Sequence, residues 1–253
     1  MNMRSKPLLN RVVHKLMSYY SVFPCDKSLE GLTYNLAEKY GYHYTRSLQK
    51  PVDTNHDPLP WFTYPAIEYL AQLDLSDKSV FEWGAGNSSL FFAKRCKRIT
   101  SIESSKEWYG YCSQQSLPNQ DIRFREESEF AEAIDESSSK FDLIIIDSLR
   151  RGECAQKSVK HLNDGGLIVL DNSDWHPNTS AFLRNDCNLI EVDMHGFGPV
   201  NDYSWTTSLY FHREFRFLSK EKKQPSFSKA GIQQVSKYDN FNSTLDQAQF
   251  GYS

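Results

Sequence analysis

The stretch Val80-Phe81-Glu82-Trp83-Gly84-Ala85-Gly86-Asn87-Ser88-Ser89 joins a short apolar run to a helix-length segment. Glycines at such a junction let the backbone come close to a ligand. Asn87 and Ser88, opening the helix, offer N–H groups with no partner inside it. Glu82 lies two positions before Gly84, where a carboxylate repels a pyrophosphate but suits an ammonium or sulfonium. Ser89 stands where a dinucleotide-binding turn carries its third glycine. Glu103 ends the next apolar run, a place from which a carboxylate can accept both hydroxyls of a ribose.

Two further runs end in acids, Ile144-Ile145-Ile146-Asp147-Ser148 and Val169-Leu170-Asp171-Asn172-Ser173-Asp174-Trp175. Asp147, Asp171 and Asn172 carry hard oxygens suited to Mg2+ or Ca2+, and a bound cation lowers the pKa of an oxygen it coordinates. In the competing arrangement Asp147 touches the cofactor or caps the following helix, and Asp171-Asn172 forms an Asx turn. Beside Asp147, His176 and His195 have ordinary pKa values near neutrality and are the candidates for a general base that works without a metal. Arg150-Arg151 can grip a carboxylate or phosphate on an acceptor, or simply open the next helix in solvent.

These residues need a scaffold, and the pattern predicts one. Apolar runs at 80–83, 99–102, 122–124, 143–146 and 167–170 alternate with helix-length segments at 88–96, 105–116, 128–136 and 153–162. Such alternation predicts a parallel sheet covered on both faces, with its strand ends opening onto one crevice. Strands at 189–194 and 206–212 follow, the second expected as an antiparallel hairpin partner at one edge. Upstream, Leu9, Val12, Val13, Leu16, Met17 and Tyr20 form one helical stripe, and Leu29, Leu32, Leu36 and Tyr40 another. Residues 41–60 read as a long lid-like loop, and Thr63 as the N-cap of a helix with Pro65 in its first turn. The expected division is an N-terminal helical segment and loop over 1–59, a core over 60–217, and a polar, loosely attached or disordered extension over 218–253.

The E-x-G-x-G-x-S pattern after the first strand, with an acid after the second, resembles the class I S-adenosylmethionine-dependent methyltransferases. The resemblance covers about residues 60–215. It implies an α/β, Rossmann-like three-layer sandwich: a mostly parallel seven-stranded sheet with an antiparallel last strand, plus the N-terminal helices. It also implies that Glu82, Gly84 and Gly86 surround the methionine part of S-adenosylmethionine, Glu103 the ribose, and Glu127 with Ser128 the adenine. Trp61-Phe62-Thr63-Tyr64-Pro65 and Gly196-Phe197-Gly198-Pro199 with Tyr203-Ser204-Trp205 resemble a bacterial subgroup within that family. Trp61 and Tyr64 are taken as cofactor contacts, and Trp175, Tyr203 and Trp205 as further candidates to line a dry pocket. An Asp ahead of an Asp-Asn pair resembles the metal-binding pattern of the catechol and caffeoyl-coenzyme A O-methyltransferases, with Asp147, Asp171 and Asn172 as ligands.

Composition narrows the partners. The 253 residues carry 29 basic and 32 acidic side chains, a net charge of −3, which argues against coating nucleic acid by charge alone. Asp147-Ser148-Leu149-Arg150 lacks the Asn/Asp-Pro-Pro-aromatic segment of base-modifying enzymes, so nucleic acid is not expected. The mean hydropathy of −0.60 leaves no stretch for stable membrane insertion. Five scattered cysteines without a CxxC pair point to reduced thiols in a cytoplasmic protein. The expected activity is O-methylation of a small-molecule or saccharide hydroxyl, with self-association left open. The alternatives are an NAD-dependent oxidoreductase and a non-catalytic cofactor-binding protein.

Overall fold

Residues 27–221 and 224–236 are described by a computed structural model; the stripe expected over 8–20 lies outside them. Seven strands form one sheet: β1 (Ser79–Trp83), β2 (Arg98–Glu103), β3 (Gln120–Phe124), β4 (Phe141–Ile146), β5 (Leu162–Asp171), β6 (Ile190–Gly196) and β7 (Trp205–Phe211). Their order across the sheet is β3-β2-β1-β4-β5-β7-β6. β1 to β5 pair in parallel, while β7 runs antiparallel to both β5 and β6. This is the seven-stranded Rossmann-like sheet with an antiparallel last strand. One detail differs from expectation: β7 is inserted between β5 and β6, so β6 is the edge strand. The burial pattern accounts for this, since every residue of β7 is buried while β6 leaves Ile190 and Val192 exposed.

Alternation along β1 divides the core into two. Phe81 and Trp83 join Ile144, Ile146, Ile168 and Leu170 under the helix Arg151–His161. Val80 joins Leu143, Ile145, Leu167 and Val169 under the helices Tyr64–Gln72 and Asn87–Ala93. The helices are numbered in chain order: α1 (Lys27–Tyr34), α2 (Tyr42–Leu48), α3 (Tyr64–Gln72), α4 (Asn87–Ala93), α5 (Lys106–Gln114), α6 (Arg151–His161) and α7 (Pro177–Ala181). Leu36 and Tyr40 of the second stripe pack on the core, while Leu29 and Leu32 are exposed.

Two segments differ from the expected loop and tail. Residues 41–60 are not one loop: Gly41, at φ +74°, turns the chain into α2. A bridge between Val52 and Pro58 then ties the remainder into a compact strap. The segment after Phe217 lies along α3. There the amides of Asp74 and Lys220 exchange bonds with Leu218 and Gln72, and the amides of Ser226 and Lys229 donate to the Gln72 and Glu68 side chains. Its bonds to α3 extend as far as Lys229, and 231–236 are exposed; residues 222–223 and 237–253 of the expected extension lie outside the described residues.

The segments 61–65 and 196–207 meet in one joint. The Thr63 amide donates to Thr207 Oγ1 at 3.0 Å, and its hydroxyl to the Met194 carbonyl at 2.8 Å. Thr63 thus occupies the N-cap position without capping by its side chain, because the hydroxyl is used to moor α3 to β6. The Tyr64 amide donates to Phe197 O at 2.7 Å. A Cβ on Gly198 would strike the Phe62 carbonyl and the Trp205 ring, so the glycine permits this crossing.

Candidate functional site

The carboxyl ends of β1, β2 and β4 and the strap enclose a cleft of about 310 Å³, within the usual size of a small-molecule site. Gly84, Ala85, Gly86, Asn87, Ser88, Glu103 and Asp147 line it, with Trp61 at one side. Most of the expected cofactor residues are therefore brought together. Gly84 has φ +104°, and a Cβ there would strike the Asp147 carbonyl. The first glycine of the turn is set by β4 passing behind it, whereas a Cβ on Gly86 would meet nothing.

Glu103 is the best-fixed polar group in the cleft. Its Oε1 accepts the amides of Ser104 at 2.8 Å and Ser105 at 2.7 Å, and its Oε2 accepts the Ala85 amide at 3.3 Å. The carboxylate is oriented by backbone before any ligand arrives, and its remaining lone pairs suit a vicinal diol. Beside it Trp108 donates from Nε1 to the Ala85 carbonyl at 2.7 Å and stacks on Tyr111. Across the cleft Lys50 Nζ donates to Tyr111 Oη at 2.6 Å, and Asn87 Nδ2 donates to Pro51 O at 2.7 Å. The strap is thereby fastened over the glycine turn at two points. Gln49, Lys50, Pro51, Trp108, Tyr111 and Ser148 were not singled out from the sequence. Trp108 and Tyr111, three residues apart on the helix that follows Glu103, were the available signal.

Three expected cofactor residues stand elsewhere. Glu82 is wholly buried beneath the turn, because alternation in β1 directs its side chain under α4. There Ser89 and Ser101 donate to its Oε2 at 2.5 and 2.7 Å, and Ser89 Oγ also accepts the Gly86 amide at 3.0 Å. The serine in place of a third glycine thus links the turn to a buried carboxylate. Burial, reinforced by Asp147 and opposed by the serine hydroxyls, pushes Glu82 up to about 7. Tyr64 is a core residue, 5% exposed and packed at a tilt against Tyr40, so it is not a wall of the cleft. Ser128 lies exposed in a helical turn over 127–129, outside the cleft.

The acids on β4 and β5 do not form the expected metal centre. Arg151 Nη2 donates to Asp147 Oδ1 at 2.9 Å and to Asn172 Oδ1 at 3.0 Å, so a guanidinium bridges two of the three proposed ligands. Asp171 is consumed within the fold, its Oδ1 accepting Trp205 Nε1 at 3.0 Å and Thr207 Oγ1 at 2.6 Å. Among the described residues no group of three His, Cys, Asp or Glu is arranged to hold a metal. Asp147, Asp171 and Asn172 therefore do not fit Mg2+ or Ca2+, and Trp205 is an internal prop for Asp171 instead of a pocket wall.

Asp147 keeps Oδ2 free of hydrogen bonds among the described residues. Burial raises its carboxyl to about 6 against the opposing pull of Arg151. His176, after β5, is half-buried, and burial together with the Arg151 charge lowers its pKa. His195 sits on the edge strand β6, its Nδ1 paired with Thr206 Oγ1 at 2.6 Å. Arg150 faces outward, paired with Glu153 and the Glu127 carbonyl. Trp175, Phe197 and Tyr203, between 48% and 59% exposed, flank β5, β6 and β7 at the end of the sheet that carries the cleft.

No family model matches the chain, and no curated protein matches it. Among solved structures the chain is similar to the O-methyltransferase TomG from Streptomyces achromogenes, involved in tomaymycin synthesis and seen in complex with S-adenosylmethionine. The identity is 13%, over 59% of this chain and 77% of that one, at a TM-score of 0.48. It is also similar to the N-methyltransferase NodS from Bradyrhizobium japonicum, at 16% identity over 57% and 92% of the two chains and a TM-score of 0.44. An rRNA methylase from Streptococcus thermophilus matches at 16% identity over 58% and 94%, with a TM-score of 0.45. Likenesses this distant carry no inference about activity, which rests instead on the strand order and the cleft.

Proposed function

We propose that this chain is an S-adenosylmethionine-dependent methyltransferase acting on a hydroxyl of a small molecule or saccharide. The observation that carries this reading is Glu103, held by three backbone amides and facing the glycine turn across one cleft. Glu103 would accept the ribose hydroxyls, and Gly84, Gly86, Asn87 and Ser88 would lie against the amino-acid part. The exposed rings of Trp108 and Tyr111 would give the base an apolar wall. S-adenosylmethionine, when bound, supplies an electrophilic methyl group on a sulfonium. The acids around the turn favour that positive charge, while buried Glu82 beneath it disfavours the pyrophosphate of a dinucleotide.

Asp147 Oδ2 is the strongest candidate to take the acceptor's proton. It lines the cleft, and its pKa of about 6 leaves it ionised at neutral pH yet basic enough to accept a proton. Arg151 holds Oδ1 and so fixes the direction of Oδ2. His176, neutral through burial and the adjacent guanidinium, is the second candidate, and His195 the third. The exposed faces of Trp175, Phe197 and Tyr203 suit the flat or C–H-rich face of a ring acceptor. The test is transfer of a labelled methyl group from S-adenosylmethionine to pools of phenolic and saccharide acceptors. Asp147→Asn should cut turnover by about 10²–10⁴-fold and leave S-adenosylhomocysteine binding intact. Unchanged turnover would remove Asp147 from the reaction.

A further inference from the structure

A second cavity, of about 290 Å³, opens between α3, the end of α4, the strap and the chain at 220–221 and 226–229. The strap and α4 separate it from the cofactor cleft: Gln49–Pro51, Asn87 and Ser88 wall the cleft, while Asp53, Leu59 and Phe91 wall the cavity. Leu59, Ile67, Ala71 and Phe91 make one side apolar. Arg95, Lys220 and Lys229 bring cations to it, and neither Arg95 nor Lys220 forms an ion pair among the described residues. The guanidinium of Arg95 lies 3.7 Å over the Phe91 ring, and among the described residues its one side-chain hydrogen bond runs from Nη1 to the Phe91 carbonyl at 2.7 Å. Nε is buried without a partner. Lys220, on the rim, makes no side-chain hydrogen bond or salt bridge among the described residues.

Two of the three acids that line the cavity, Glu68 and Asp53, have partners of their own, and Glu221, next to Lys220 in sequence, has none among the described residues. Glu68 accepts the Lys229 amide, Asp53 Oδ1 caps its own turn at Asn55 and Asp57, and Asp57 pairs with Lys94. Partial burial and the Arg95 charge hold Lys220 below the ordinary lysine range, as two like charges sharing one cavity require. An oxyanion set between them relieves their repulsion and supplies acceptors to a guanidinium that lacks them. The apolar wall then calls for a ligand with a body as well as a head.

We propose that this cavity is a binding site for a small organic oxyanion, a carboxylate or phosphate ester carrying an apolar group, held by Arg95 and Lys220 against Phe91. The site is independent of the methyltransferase reading. Its test is calorimetric titration of the full chain with phenylacetate, phenyl phosphate, inorganic phosphate and benzyl alcohol. Saturable binding of either organic anion sustains the proposal, and the tighter of the two names the head group. Benzyl alcohol and inorganic phosphate should each bind at least about tenfold more weakly, one lacking the charge and the other the body. Arg95→Met and Lys220→Met should each weaken the anion by about tenfold, whereas Glu103→Ala in the cofactor cleft should not change it. Absence of saturable binding by both anions would overturn the proposal. So would affinity unmoved by both cavity substitutions, parity of inorganic phosphate with phenyl phosphate, or loss of binding on Glu103→Ala.

Discussion

Glu82 and Glu103 are two carboxylates on neighbouring strands with opposite fates. Glu103 emerges at a strand end and is held by three amides facing the cleft, while Glu82, two residues short of the turn, is carried under α4. The buried one leaves a pH signature. Its folded pKa of about 7, against 4.5 unperturbed, means that its contribution to stability is fully present below about pH 4.5 and is lost as pH rises through 7. The loss is roughly 3 kcal/mol at one pKa unit per 1.36 kcal/mol. Glu82→Gln should therefore gain on the native chain by about that amount between pH 4.5 and 8, measured from denaturant midpoints. A gap independent of pH would contradict the burial. Asp147 gives a kinetic counterpart: turnover should rise with pH through about 6, and Asp147→Asn should remove that limb. The Arg151 bridge gives a third outcome, since with a guanidinium between Asp147 and Asn172, EDTA should leave turnover unchanged. Loss of activity that Mg2+ restores would overturn that assignment.

At the scale of the element, the turn from β1 to α4 is set by what lies behind it as much as by what it faces. Gly84 is at φ +104° with the Asp147 carbonyl against it, so Gly84→Ala meets both a disfavoured backbone and a backbone clash. The cost should be about 3 kcal/mol or more, seen as a fall in thermal midpoint together with loss of cofactor affinity. Gly86→Ala, with open space around the new methyl, should leave folding within about 1 kcal/mol. The strap is the element that sequence periodicity could not supply. Its two fasteners, Lys50 to Tyr111 and Asn87 to the Pro51 carbonyl, join residues remote in sequence, and no local pattern announces such pairs. The same holds for Tyr64, whose motif looked like a ligand contact but serves to pack α3 on β6 and β7. The glycine turn was legible because backbone geometry restricts its residues to a few types. The metal reading failed because side-chain partners such as Arg151 and Trp205 come from other elements.

For the molecule as a whole, strand alternation and apolar runs were enough to foretell a doubly covered parallel sheet with an antiparallel member, since burial on both faces writes continuous apolar strands. Hydrophobicity alone did not separate an inner strand from an edge, and so β7 and β6 exchanged places in the expectation. Polarity likewise gave no sign of the bonds that the segment after Phe217 makes to α3, which run through backbone amides that composition does not reveal. The −3 net charge spreads over a molecule whose described residues contain no helix long and apolar enough to cross a membrane. Both rival cofactors, S-adenosylmethionine and NAD, bring a ribose that Glu103 can accept, so the sheet and that residue alone do not separate them. The proposed preference for S-adenosylmethionine rests on the turn, where Ser89 stands in place of a third glycine and is bonded to the buried Glu82. The direct test is calorimetric titration of the full chain with S-adenosylhomocysteine and with NAD, repeated on Glu103→Ala. The account predicts saturable binding of S-adenosylhomocysteine, weakened by about 10- to 100-fold in Glu103→Ala, and none of NAD. Tight binding of NAD with no binding of S-adenosylhomocysteine would contradict it.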